Sequence, residues 1–164
     1  ADAAGADVAG GGDLDGDGLA ELLIGARTSS AGPRTRGGIA YLFYGGTVAS
    51  GSVDLGTAAT RFLATTTNAS VGDGLGTAGD VDGDGLDDLL IGDPSNSELH
   101  LFRAPVAAGD LSLGSSDAAL WPWGETSAGQ VGHPGDQDGD GLDDIVVAAP
   151  DSLGRVWVSA GGID

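Results

Sequence analysis

At 164 residues the chain is long enough for one ordinary core, yet it carries 32 glycines and only eight aromatics, a balance that favours many short strands joined by turns over packed helices. Lysine is absent, and six arginines face 25 acidic residues for a formal charge of −19, which argues against nucleic acid as a partner because a phosphate backbone needs a basic surface. Apolar runs stop at about five to seven residues, far short of the roughly 20 that cross a bilayer, and without cysteine there are no disulfides.

The chain opens on "ADAAGADVAG", with neither an initiator methionine nor a signal peptide, and reads as the start of a mature or excised segment. A composition rich in Ala, Gly and Asp with no Lys or Met suggests a GC-rich bacterial gene. The first expected element is a strand around Val8 in "AGADVAGGGD", whose small side chains suit a strand crowded near a central axis. It runs into "GDLDGDGLAELLIGA" at Gly12 to Ala26, where, counting from Asp13, carboxylates occupy loop positions 1, 3, 5 and 9 and glycines positions 4 and 6. The following "LLIG" is a continuous apolar run, as expected of a strand covered on both faces. Arg34 and Arg36 in "AGPRTRGG" make a small basic island in an ordinary solvated loop. "IAYLFYG", from Ile39 to Gly45, predicts a third, half-covered strand, and "TRFLAT", from Thr60 to Thr65, a fourth and outermost one.

The same order then returns twice. "VGDGLGTAGD" leads into "GDVDGDGLDDLLIGD" at Gly79 to Asp93, and "SAGQVGHPGD" into "GDQDGDGLDDIVVAA" at Gly135 to Ala149, placing Leu75 and Val131 where the first unit has Val8. Third strands are expected at Leu99 to Arg103 and at Val156 to Gly161. "ALWPW", from Ala119 to Trp123, supplies the second unit's fourth strand, with Pro122 suited to an edge. The opening aspartates Asp13, Asp80 and Asp136 are 67 and 56 residues apart, periods that signal repeated supersecondary units of a propeller or solenoid. The units are expected at about 5–66, 70–124 and 127–164, with the last lacking its outer strand. Trp121, Trp123 and Trp157 are expected between units, where tryptophan contributes large buried area. His100 and His133 have no catalytic partner at a recognisable spacing and read as structural or surface residues.

Alternate carboxylates in a tight glycine turn converge on one point, and like charges about 4 Å apart repel by roughly 4 kcal/mol at an effective dielectric near 20. A cation resolves this. Oxygen ligands without His or Cys select a hard ion, and flexible carboxylates suit Ca²⁺ better than octahedral Mg²⁺. A bare Asp-Gly hairpin needs only two special residues, whereas all three copies keep four acidic positions. An EF-hand is excluded because its position-12 glutamate would fall on Ile24, Ile91 or Val147.

The pattern D-x-D-G-D-G-x-x-[DE] followed by "LLIG" or "IVVAAP", with "VGDGL" upstream, resembles the FG-GAP repeat of the integrin α-subunit N-terminal β-propeller and its bacterial relatives. The resemblance implies an all-β, partial β-propeller of about three four-stranded antiparallel blades, with Ca²⁺ held between first and second strands. It implies three sites: side chains of Asp13, Asp15, Asp17 and Glu21; of Asp80, Asp82, Asp84 and Asp88; and of Asp136, Asp138, Asp140 and Asp144. The carbonyls of Leu19, Leu86 and Leu142 would complete them. It further implies a non-enzymatic extracellular or cell-surface module for adhesion, ligand binding or scaffolding, with a protein or glycan ligand and no membrane insertion. An accessory segment of a secreted hydrolase or lyase is the alternative. Three incomplete blades leave open faces, so further blades from a longer parent chain, or self-association, are expected to cover them.

Overall fold

The structure, a computed structural model, describes residues 3–48, 51–120, 130–149 and 155–162. Its described residues are strands, turns and two short 3-10 turns. The first sheet runs β1 (Ala4–Gly10), β2 (Leu22–Ala26), β3 (Ile39–Phe43) and β4 (Thr60–Leu63), each antiparallel to the last. After β5 (Leu75–Gly79), β6 (Asp88–Asp93) and β7 (Glu98–Phe102), the chain makes a detour, β8 (Gly109–Ser112), before β9 (Ala118–Leu120) closes the second sheet as β5-β6-β7-β9. The third sheet is β10 (Gln130–Gly135), β11 (Asp144–Ala149) and β12 (Arg155–Ser159). These are three antiparallel blades of a partial propeller, with four strands of the second and three of the third among the described residues. Pro122, Trp121 and Trp123 lie outside them, as does the side chain of Trp157.

Small residues let the blades approach. The inner strands β1, β5 and β10 pack in succession, and a Cβ added at Gly76 would stand 2.8 Å from a Val131 methyl. At Gly25, in the middle of β2, a Cβ would fall 1.9 Å from the carbonyl oxygen of Gly72, so the glycine of the first "LLIG" is dictated by the backbone of the next blade's entry loop. Between blades one and two lie Leu23, Leu42 and Phe62 against Leu75, Leu89 and Ile91, with the Phe62 and Phe102 rings tilted at 4.8 Å. Blades two and three enclose Leu90, Leu99 and Leu101 against Ile145 and Val147. Each such fully buried aliphatic contributes about 1.5–3 kcal/mol.

Two expectations are corrected. The third strand of the first unit is not half covered: every residue of β3 is buried, because Val48, Val53, Leu55 and Ala58 of the chain leading to β4 fold back over Ile39, Tyr41 and Phe43. Asp54 holds that cover in shape by accepting a hydrogen bond from the Gly56 N–H at 2.9 Å. Nor is β4 the outermost strand, since β8, drawn from the second unit, pairs with it in parallel. Arg61 meets Asp110 through two 2.6 Å hydrogen bonds, the Thr60 hydroxyl donates to the Ala107 carbonyl at 2.9 Å, and Leu111 and Leu113 join the core. An open edge is thereby covered by a neighbouring blade.

Candidate metal centres

Each acidic loop joins the first and second strands of its blade, and its shape follows from its own carboxylates. Asp13 accepts hydrogen bonds from the N–H groups of Gly16 (2.7 Å) and Gly18 (3.0 Å). Asp80 does the same with Gly83 and Gly85, and Asp136 with Gly139 and Gly141. The glycines at positions 4 and 6 all have φ between +78° and +93°, left-handed values that other residues adopt at a cost. At position 3, Asp15, Asp82 and Asp138 each accept from the N–H two residues on, as do Asp17, Asp84 and Asp140 at position 5. A turn of this kind points N–H groups and carboxylates toward one centre. These donors hold the Asp136 carboxyl below its ordinary pKa, with the Gly139 and Gly141 N–H groups the main cause.

The position-9 acids differ from the others in being buried. Glu21, Asp88 and Asp144 are at most 2% exposed, and each ties its loop to the end of the third strand. Glu21 accepts from Leu14 (2.6 Å) and Gly45 (3.4 Å), Asp88 from Val81 (3.2 Å) and Ala104 (2.8 Å), and Asp144 from Gln137 (2.7 Å) and Gly161 (3.1 Å). Burial raises the pKa of Glu21, and pushes that of Asp88 up to about 6 against the pull of its two backbone donors.

Ligand oxygens of Asp13, Asp15, Asp17 and Glu21 all lie within 4.8 Å of one another, as do those of Asp80, Asp82 and Asp84, and those of Asp136, Asp138 and Asp144. Asp88 and Asp140 stand outside these groups. The Leu19, Leu86 and Leu142 N–H groups are fixed by the position-5 aspartates. Carboxylates so close repel by about 1 kcal/mol per pair in water and severalfold more where solvent is displaced. A donor set of oxygens alone, joined by a buried acid in the first and third loops, fits a hard dication. In each loop the residues above would hold it.

Position 8 carries a function that the acidic pattern did not reveal. The Asp87 carboxylate accepts from the Asp13 N–H (2.8 Å) while the Asp87 N–H donates to the Asp13 carbonyl (3.1 Å). Asp143 repeats both bonds on Asp80, at 3.1 and 2.9 Å. The first and second loops are thus each clasped by the next blade. Leu86 and Leu142 also lie over Gly16 and Gly83, where an added Cβ would come within 3.3 and 3.0 Å. The signal was present as aspartate in two copies against Ala20 in the first, but nothing local distinguishes a clasp from a solvated charge. Arg34, Arg36 and His133 are exposed, while His100 is buried in β7.

The raised pKa of Asp88 implies a pH dependence for the metal-free protein. A folded-state pKa above the unfolded value makes the native state bind the extra proton, so this contribution is complete below about pH 4 and is lost as pH rises through 6. In chelator, Asp88→Asn is expected to flatten the change in stability between pH 5 and 7.5 by about 1–2 kcal/mol, as read by urea unfolding at the two pH values. An identical pH slope in both proteins would show that Asp88 carries no such proton.

A family model described as FG-GAP repeat matches residues 4–43 and 128–159. The integrin alpha-4 of Xenopus laevis is 34% identical over 97 residues, which cover 51% of this chain and 9% of that protein; the chain therefore spans less than a tenth of the length of this relative. The matched segments hold the first and third loops, and the second loop between them repeats the same turn, buried acid and strand pairing. These matches support an FG-GAP repeat domain similar to that of integrin alpha subunits.

Proposed function

We propose that this domain is a calcium-binding propeller module that works outside the cell in adhesion, ligand binding or scaffolding, without catalysis of its own. The observation that carries the reading is the convergence of three or four carboxylates in each of three loops, with a buried acid tying every loop to its blade. Calcium there would lock the first two strands of each blade and, through the Asp87 and Asp143 clasps, one blade to the next. Three divalent ions would offset six units of the formal net charge of −19, relieving the self-repulsion of so acidic a chain. Exposed loops of this type suit the millimolar calcium outside cells, where modules bind with Kd of roughly 10⁻⁴–10⁻³ M. Among the described residues no helix is long and apolar enough to cross a membrane.

The partner is proposed to be a protein or a glycan, held by a surface that the metal keeps rigid. The test is an array of glycans and matrix proteins probed with the chain in millimolar Ca²⁺ and again in chelator, alongside Asp82→Asn. The reading expects a ligand retained only with calcium and weakened by the substitution. Turnover of an arrayed glycan, or retention indifferent to calcium, would contradict it.

A further inference from the structure

A second cluster of ligating side chains lies in the middle blade, away from the acidic loops. It sits at the β6–β7 hairpin. Asp93 and Glu98 are directly opposite each other in the antiparallel register, and His100, two residues further along β7, shares their face of the sheet. One ligand atom from each of the three lies within 4.8 Å of the other two. Asp93 is fully buried and accepts both the backbone and side-chain N–H of Asn96. His100 is 4% exposed.

The imidazole supplies the observation that points to a ligand. Its Nδ1 is 3.0 Å from the Ser116 hydroxyl. Its Nε2 is buried, makes no hydrogen bond, and faces a Glu98 oxygen at 3.3 Å. In the tautomer with Nδ1–H donating to Ser116, Nε2 turns a lone pair toward the Glu98 oxygen, an arrangement that a shared cation relieves. Burial lowers the pKa of His100, consistent with a neutral, metal-ready imidazole. A hydroxyl that fixes the tautomer from the far nitrogen, and an amide that orients a carboxylate, are the usual outer partners of metal ligands.

We propose that Asp93, Glu98 and His100 form a fourth metal site, selective for a borderline dication of the zinc class. One imidazole and two carboxylates give zinc three ligands and leave a position for water, whereas the oxygen-only loops suit calcium. The bound ion would pin the β6–β7 turn and satisfy Nε2.

The test is calorimetric titration of the chain with Zn²⁺ in millimolar Ca²⁺, which keeps the acidic loops filled. One zinc per chain is expected, with affinity reduced at least about tenfold by His100→Gln and unchanged by the loop variant Asp82→Asn. That variant separates failure of this site from failure of the calcium reading. Should His100→Gln not fold, Glu98→Gln on the partly exposed strand end provides the same comparison. The His100 Nε2 resonance of the unaltered chain should also shift on zinc addition. Zinc uptake abolished by calcium, an affinity indifferent to both substitutions, or an unmoved Nε2 resonance would overturn the proposal.

Discussion

Removing calcium is expected to lower the melting temperature of the chain by roughly 15–30 °C. A ligand that binds only the native state stabilises it by about 2.7 kcal/mol per site at one hundred times Kd, hence ~8 kcal/mol for three sites. In a domain of this size each kcal/mol moves the midpoint by about 2–4 °C. That total is comparable with the whole stability of an ordinary domain, about 5–15 kcal/mol, so the chain in chelator should be near its limit at room temperature. The physical source is the set of carboxylates within 4.8 Å of one another in each loop. Asp82→Asn should remove about a third of the calcium-dependent shift. Thermal melting in chelator and in millimolar Ca²⁺ checks this, and equal midpoints would contradict it.

The second large effect is expected at the clasp between blades. Gly79 has φ +72°, and a Cβ there would stand 2.0 Å from a carboxylate oxygen of Asp143 and 2.7 Å from its Cβ. The short aspartate cannot clear the new atom and keep its hydrogen bond to the Asp80 N–H. Gly79→Ala therefore combines a left-handed backbone cost of about 1 kcal/mol with the loss of a charge-assisted bond worth roughly 1.5–3 kcal/mol, in all about 3 kcal/mol. Gly135→Ala is the control: its φ is +79°, yet among the described residues the nearest atom to an added Cβ is 4.0 Å away, so only the backbone cost is expected. Urea unfolding of the two variants isolates the clasp by difference. Equal losses would mean that Asp143 does not hold the second loop.

How much of this was readable in advance depends on where each residue finds its partner. The acidic loops were legible because Asp13, Asp15 and Asp17 find their partners within the turn, and local hydrogen bonds leave a fixed spacing of Asp and Gly. The apolar runs became β2, β6 and β11 for a similar reason: a strand covered on both faces needs nothing from its neighbours except that they be apolar. In contrast, β8 pairs with β4 across 49 residues, and no periodicity within "GDLSLG" reveals a parallel partner in another blade. The same holds for Val48 and Val53, whose cover over β3 exists only once the chain folds back. At position 8, Asp87 and Asp143 are single charges in an acidic run, and their partners lie on the loop of the preceding blade. His100 alternates with Leu99 and Leu101 as any strand residue would, and its place beside Asp93 and Glu98 follows from the β6–β7 register, which a strand pattern alone does not specify.

The central claim is that the three loops are calcium sites, and the most direct measurement is calorimetric titration of the chelator-stripped chain with Ca²⁺. Three ions per chain are predicted, falling to two in Asp82→Asn. The first site, which alone gathers four carboxylates through Glu21, is expected to fill first. No binding heat, or a stoichiometry that Asp82→Asn leaves unchanged, would contradict the account.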